Sequence, residues 1–242
     1  MQMYDRTQML ENIERVREEI REAATAAGRD PSKITLIGVS KFFPAEYAKQ
    51  AYELGLHDLG ENRPEEMHEK KGILDAEDIH PRWHLIGTIQ SRKVRLIIGE
   101  PYLIHSVDSL SLAQEISKRS LAKGVTSSIL LEVNVSGEES KHGFSQEDIQ
   151  EAFPQLLELP NIEMGGLMTM APIQHQSGEA ERVFEQARLL FEHLRDDYQM
   201  GTTWRHLSMG MSGDFKEAIR QGSTFVRVGT AIFGKRDYPD PV

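Results

Sequence analysis

A (β/α)8 barrel preceded by one extra helix is the fold class this sequence predicts, and three observations predict it. Eight strand-like segments alternate with helical ones, and such alternation implies parallel strands joined by helical crossovers. The 242 residues are close to the roughly 250 that eight such units consume. Polar residues and glycines gather where the strands end, which is where barrels of this kind keep their active sites. A doubly wound open sheet is the rival reading of the alternation.

The extra helix comes first. Leu10, Ile13, Val16, Ile20 and Ala24 recur at spacings of three and four with Glu and Arg between them. Asp5 and Gln8 have capping-box spacing, and Gly28 stands where a helix would stop. The strand candidates follow as Ile34–Lys41, His57–Asn62, Trp83–Gln90, Tyr102–Asp108, Ser128–Val135, Met164–Met170, His206–Met209 and Phe225–Thr230. Helical stretches between them include Ala45–Leu54, Leu110–Lys123, Ser145–Leu157, Gly178–Asp197 and Asp214–Gly222. Pro154 should kink or split the third of these. Residues 1–236 read as one domain, and 237–242 as a disordered tail.

Composition bounds the function. A chain that is 39% hydrophobic and 27% charged is an ordinary globular protein. The absence of cysteine rules out disulfides and thiolate metal sites. A net charge of −10 disfavours nucleic acid as a partner. No apolar run approaches a membrane span and the first residues lack a signal-peptide core, so the expected location is cytoplasmic. The nine histidines show no metal spacing; His84, His105 and His206 read as singletons on strands, as satisfied core or rim residues.

Lys41 closes a run in which five of the seven preceding residues are Val, Ile, Leu or Thr. A lysine at the end of a buried strand either snorkels to solvent or carries a lowered pKa, and a lysine of the second kind forms Schiff bases with aldehydes. The loop after the seventh strand holds Gly210, Ser212 and Gly213, followed by Asp214 and Glu217 at capping-box spacing. With Gly229 and Thr230 after the eighth strand, these would form a phosphate cup at a helix N-terminus. Turn and capping chemistry requires the same residue types, so both readings stand. Arg227 shares a strand face with Phe225 and Gly229; it would either pair with an acid or donate to a ring nitrogen of a cofactor. Asn62 and His84 could reach a ligand or hold a loop. The polar loop Gly137–Gly143 carries no chemistry assignable from its spacing.

The motifs Val39-Ser40-Lys41, Gly60-Glu61-Asn62, Trp83-His84-Leu85-Ile86-Gly87, Ser106-Val107-Asp108 and Gly166-Leu167-Met168 continue into two longer ones, Leu207-Ser208-Met209-Gly210-Met211-Ser212 and Val226 through Gly234. By these the chain resembles the pyridoxal phosphate homeostasis proteins, a family similar to the barrel domain of bacterial alanine racemase. The resemblance implies a single-domain barrel that carries pyridoxal 5'-phosphate as a Schiff base on Lys41. It implies that Ser212, Gly229 and Thr230 hold the phosphate, that Arg227 faces the pyridine nitrogen and that Asn62 lies beside the cofactor. Arg92 departs from the family, which often has asparagine there, at a position outside this site.

The resemblance leaves two functions. One is a non-catalytic carrier that buffers pyridoxal phosphate or delivers it to apo-forms of the enzymes that use it, as a monomer or weak homodimer. The alternative is a pyridoxal phosphate-dependent amino-acid racemase. Two-base racemisation needs an acid/base on each face of the substrate carbanion. In alanine racemase the second is a tyrosine brought by another domain, and here Tyr4, Tyr47, Tyr52, Tyr102, Tyr198 and Tyr238 all lie outside the rim motifs, with Tyr238 the one not placed. The expectation is therefore the carrier.

Overall fold

A computed structural model describes residues 5–137, 142–172 and 178–234 of the chain. Eight parallel strands close into a barrel in sequence order, β1 (Thr35–Val39), β2 (Asp58–Glu61), β3 (Arg82–Leu85), β4 (Leu103–Val107), β5 (Ser127–Glu132), β6 (Ile162–Met168), β7 (His206–Ser208) and β8 (Phe225–Val228). Ile37 of β1 lies opposite Arg227 of β8, which closes the ring. The open-sheet rival is excluded by that pairing.

The helices run α1 (Arg6–Ala26), α2 (Ala45–Glu53), α3 (Pro64–Asp75), α4 (Val94–Ile97), α5 (Leu110–Lys123), α6 (Gln146–Leu157), α7 (Glu179–Asp197), α8 (Phe215–Arg220) and α9 (Thr230–Phe233). Helix α1 is the extra one. Its buried stripe Met9, Ile13, Val16, Ile20 and Ala24 packs on α8 and α9. Asn12 Nδ2 and Arg15 Nη2 donate to the Ile232 and Ala231 carbonyls at 3.1 and 3.0 Å, fixing the helix that follows β8.

The strands alternate sides. Leu36, Leu59, Trp83, Leu85, Ile104, Ile129, Leu131, Leu167, Leu207, Val226 and Val228 belong to the large outer core beneath the helices. Ile37, Leu103, Leu130, Met168 and Phe225 form a separate small core inside the barrel. Residues in phase with the inner set fill the rest of the lumen, and several of them are polar.

Some local expectations fail for identifiable reasons. Strand β3 ends at Leu85 rather than Gln90, because the chain leaves the sheet to pack Gly87 on Asn62, where a Cβ would stand 2.5 Å from the Asn62 oxygen. Helix α6 is not split by Pro154: it runs unbroken to Leu157, and proline so near the end forfeits only the bond to the Gln150 carbonyl. Asp5 caps α1 through the Thr7 N–H, but Gln8 bonds Glu11 rather than closing the box. Asp214 does not cap α8; its Oδ1 accepts from the Met211 N–H at 2.5 Å and ties the loop instead. Helix α3 has no clean apolar stripe, because a buried lysine, Lys70, stands between Met67 and Leu74. The tail 235–242, Tyr4 and most of the polar loop after β5 lie outside the described residues. Among those described, no helix is long and apolar enough to cross a membrane.

Candidate functional site

Lys41 stands two residues beyond β1, half-buried, in a turn whose backbone is fixed from behind. Lys70 Nζ of α3 donates to the Ser40 carbonyl at 2.8 Å, to Glu61 Oε1 at 2.7 Å and to Glu66 Oε1 at 2.8 Å. Ser40 Oγ donates to Glu61 Oε1 at 2.6 Å, and the Phe42 N–H donates to Glu66 Oε1 at 2.6 Å. Both neighbours of Lys41 are thus held by α3. Phe42 adopts φ 67°, a conformation unfavourable for an aromatic residue, with the Arg63 guanidinium 4.9 Å from its ring centroid. Strain of this kind persists only where surrounding contacts over-determine it, and it concentrates at functional sites. Glu61 is fully buried; burial raises its pKa to about 7 against the pull of Lys70.

Across the rim, the loop after β7 is shaped by Gly210 at φ 94°, where a Cβ would meet the Ala218 Cβ at 2.6 Å. Met211 N–H goes to Asp214, and the Asp214 and Phe215 N–H groups go to the Met211 carbonyl. That leaves the N–H groups of Ser212 and Gly213 without a backbone carbonyl partner among the described residues. Gly229 begins α9 and packs on β1, its Cβ position 3.3 Å from the Val39 oxygen. At the start of α9 the Ile232 and Phe233 N–H groups donate to the Gly229 carbonyl, while those of Thr230 and Ala231 have no backbone carbonyl partner among the described residues. Two sets of bare donors therefore open at the ends of adjacent strands, as an anion site requires.

Arg227 lies between these loops on the inner face of β8, 4% exposed. Its Nη1 donates to Ser208 Oγ at 2.6 Å and its Nη2 to the Thr169 carbonyl at 3.0 Å. No carboxylate is within hydrogen-bond reach of it among the described residues. Burial lowers its pKa to about 10, with Asp214 and Glu132 opposing from a distance. Glu132, at the end of β5, is buried too; desolvation first, and Asp108 second, raise its pKa to about 7.

Of the six residues singled out from sequence, Lys41 stands at the end of β1, Asn62 just beyond β2, Ser212 in the loop after β7, and Arg227, Gly229 and Thr230 on and after β8. All six occupy the carboxyl ends of strands. Sequence reasoning passed over Lys70, Glu66 and Glu132. A Glu and a Lys four apart on a helix read as an ordinary surface pair. Glu132 carried the same signal as Lys41, a charge closing a buried strand. His84 and His105 are hydrogen-bonded core residues as expected, but they are joined to each other, at 2.9 Å inside the barrel.

A family model described as the alanine racemase N-terminal domain matches residues 5–237. Pyridoxal phosphate homeostasis proteins of Aquifex aeolicus and Pseudomonas aeruginosa are 41% and 43% identical over 94% and 96% of this chain, and 98% and 97% of their own lengths are covered. The chain belongs to the pyridoxal phosphate homeostasis protein family. Among solved structures, PipY of Synechococcus elongatus PCC7942 with pyridoxal phosphate bound superposes with a TM-score of 0.82 at 32% identity, over 94% of this chain and 100% of that one. Alanine racemase of Clostridium difficile 630 shares the barrel, with a TM-score of 0.72 at 18% identity, and this chain spans 58% of it.

Proposed function

We propose that this chain binds pyridoxal phosphate at the barrel rim and holds it for delivery to apo-forms of the enzymes that use it, without turning over a substrate of its own. The observation that carries this is the convergence on one rim of the braced Lys41 turn, the two sets of bare N–H groups and a buried arginine that lacks a carboxylate partner among the described residues. These residues fit the group. When bound, it supplies an aldehyde and an electron-accepting pyridine ring. Lys41 would hold it through the aldehyde carbon as a Schiff base, formed with loss of one water. Backbone N–H groups at Ser212, Gly229 and Thr230 take the phosphate. Arg227 would face the ring nitrogen and, remaining charged, would keep it unprotonated, which weakens the ring as an electron sink. Asn62 would lie beside the ring.

The carrier is favoured over a racemase by the tyrosines. Tyr47 is buried in α2, Tyr102 packs on His84 and Arg82 toward the barrel floor, and Tyr198 packs on Phe153 at the end of α7. Tyr52 packs at a tilt on His57. Tyr52, Tyr102 and Tyr198 lie away from the rim, and Tyr47, at the start of α2, is buried in the outer core with its ring against Phe43 rather than facing the lumen where a carbanion would need a second base. The near-complete coverage of relatives named for homeostasis points the same way.

Two assays on the loaded protein test this. Incubated with an apo-enzyme that requires pyridoxal phosphate, it should restore activity to that enzyme. Incubated with single-enantiomer amino acids in deuterated water, it should give no sustained exchange at the α-carbon. Turnover in the second assay would establish the racemase.

A further inference from the structure

The barrel lumen contains an unbroken line of buried polar groups that the binding of a cofactor at the rim does not by itself require. Arg227 Nη1 lies 2.6 Å from Ser208 Oγ; Ser208 Oγ lies 2.8 Å from His105 Nδ1; His105 Nε2 lies 2.9 Å from His84 Nδ1; and His84 Nε2 lies 3.0 Å from Asp58 Oδ1. Arg82 closes the line at the floor through a two-pronged pair with Asp58 at 2.8 and 2.5 Å. Ser208, His105 and His84 are fully buried, and Asp58 is 6% exposed. The line runs through four strands, β8, β7, β4 and β3, and ends at the first residue of β2.

The two ends fix its direction. An arginine can only donate, and a carboxylate paired with Arg82 can only accept. Burial works against the Asp58 carboxylate, but the hydrogen bonds from His84 and Arg82 outweigh it and hold its pKa below the usual value. Burial keeps both imidazoles neutral, lowering the pKa of His84 and, more strongly, that of His105. Each ring therefore has one N–H and one lone pair. His84 gives its Nε2–H to Asp58, so its Nδ1 must accept from His105 Nε2–H. His105 Nδ1 is then an acceptor and takes the Ser208 hydroxyl proton. The Ser208 oxygen is left to accept from Arg227. Every donor points from rim to floor, and only one tautomer of each histidine satisfies all four bonds.

We propose that Ser208, His105, His84 and Asp58 are positioning residues, a one-way hydrogen-bond chain that fixes the Arg227 guanidinium and keeps its charge unneutralised at the ring nitrogen of bound pyridoxal phosphate. This rests on the assignment of Arg227 to that nitrogen. The guanidinium is solvated by oriented dipoles, the Ser208 oxygen and the Thr169 carbonyl, while the carboxylate at the far end of the line, Asp58, is paired with Arg82. A carboxylate in direct contact would hold the arginine equally well but would cancel the field at the rim. Reversal of any link leaves a buried donor facing a donor, so the chain is all-or-none in its orientation.

The test compares the parent with Arg227→Gln, His105→Phe and Asp58→Asn, each checked for folding by circular dichroism. Visible absorption of the bound cofactor and affinity for pyridoxal phosphate are the readouts. Arg227→Gln should move the absorption maximum. His105→Phe and Asp58→Asn should move it the same way and weaken affinity about ten-fold, the usual scale for a lost hydrogen bond to a buried charge. If Arg227→Gln leaves both readouts unchanged, the assignment of Arg227 fails. If Arg227→Gln moves them while folded His105→Phe and Asp58→Asn match the parent, the chain inference is overturned and the assignment stands. Should the chain variants not fold, nitrogen-15 NMR of histidine-labelled parent without cofactor decides: His84 and His105 should both be neutral with the proton on Nε2. An imidazolium, or a proton on Nδ1 of either, would overturn the proposal.

Discussion

Two buried cations, Lys70 and Arg227, show two ways of keeping a charge inside this barrel. Lys70 sits between the sheet and α3 with two carboxylates and a carbonyl within 2.8 Å. Its charge is neutralised on the spot, and the cluster braces the turn that carries Lys41. Arg227 sits in the lumen with a hydroxyl and a carbonyl as its hydrogen-bond partners, and with its nearest chain-linked carboxylate four bonds away at Asp58. Its charge remains available to whatever enters the rim. The first arrangement serves architecture; the second, as proposed above, is suited to serve a ligand.

That contrast should be visible in stability. At pH 8, where Glu61 is ionised, Lys70→Met leaves it buried without its partner, and a denaturant titration should show a loss of about 3–5 kcal/mol, the scale for breaking a buried pair from one side. Adding Glu61→Gln should recover part of it; no recovery would mean that Lys70 acts by packing alone.

The second effect is one of pH. Glu61 and Glu132 hold their protons to about pH 7 when folded, against an ordinary value of 4.5. Their favourable contribution is fully present below about pH 4.5 and is lost as pH rises through about 7. Glu132→Gln should therefore match the parent at pH 4.5 and exceed its stability at pH 8 by up to about 3 kcal/mol. Equal stability at both pH values would place Glu132 in a more polar setting than its burial indicates. His206, lowered to about 4 chiefly by burial, opposes this trend by favouring stability as pH rises from about 4 to 6.5.

Gly210→Ala comes next. A methyl at φ 94°, overlapping Ala218 and the Phe215 backbone, should cost about 1–3 kcal/mol and weaken phosphate binding together. Arg227→Gln should be the mildest in stability, about 1 kcal/mol or less, because a neutral amide keeps a donor and removes a buried charge. Its effect should fall on the ligand instead. A large loss of stability would erase the distinction between the two cations.

The barrel was legible because strand-like and helical segments alternate through the whole chain. Arg227 could be placed on the Phe225 face from the alternation of side chains along a strand alone. The braces behind the site were not legible, because each is a pairing between segments far apart in sequence. Lys70 interrupts the stripe of α3 and hides that helix from a periodicity reading. Ser208 and His105 are 103 residues apart, so no local spacing joins them. The capping-box reading of Asp214 failed since its carboxylate had a nearer donor in the Met211 N–H.

The central claim is that Lys41 holds the cofactor covalently at the braced turn. Protein loaded with pyridoxal phosphate, reduced with borohydride and mapped by mass spectrometry, tests it directly. The account predicts the added mass on the peptide containing Lys41, and its loss together with the visible absorption band in Lys41→Ala. A full band in Lys41→Ala, or the mass on another lysine of the parent, would contradict it.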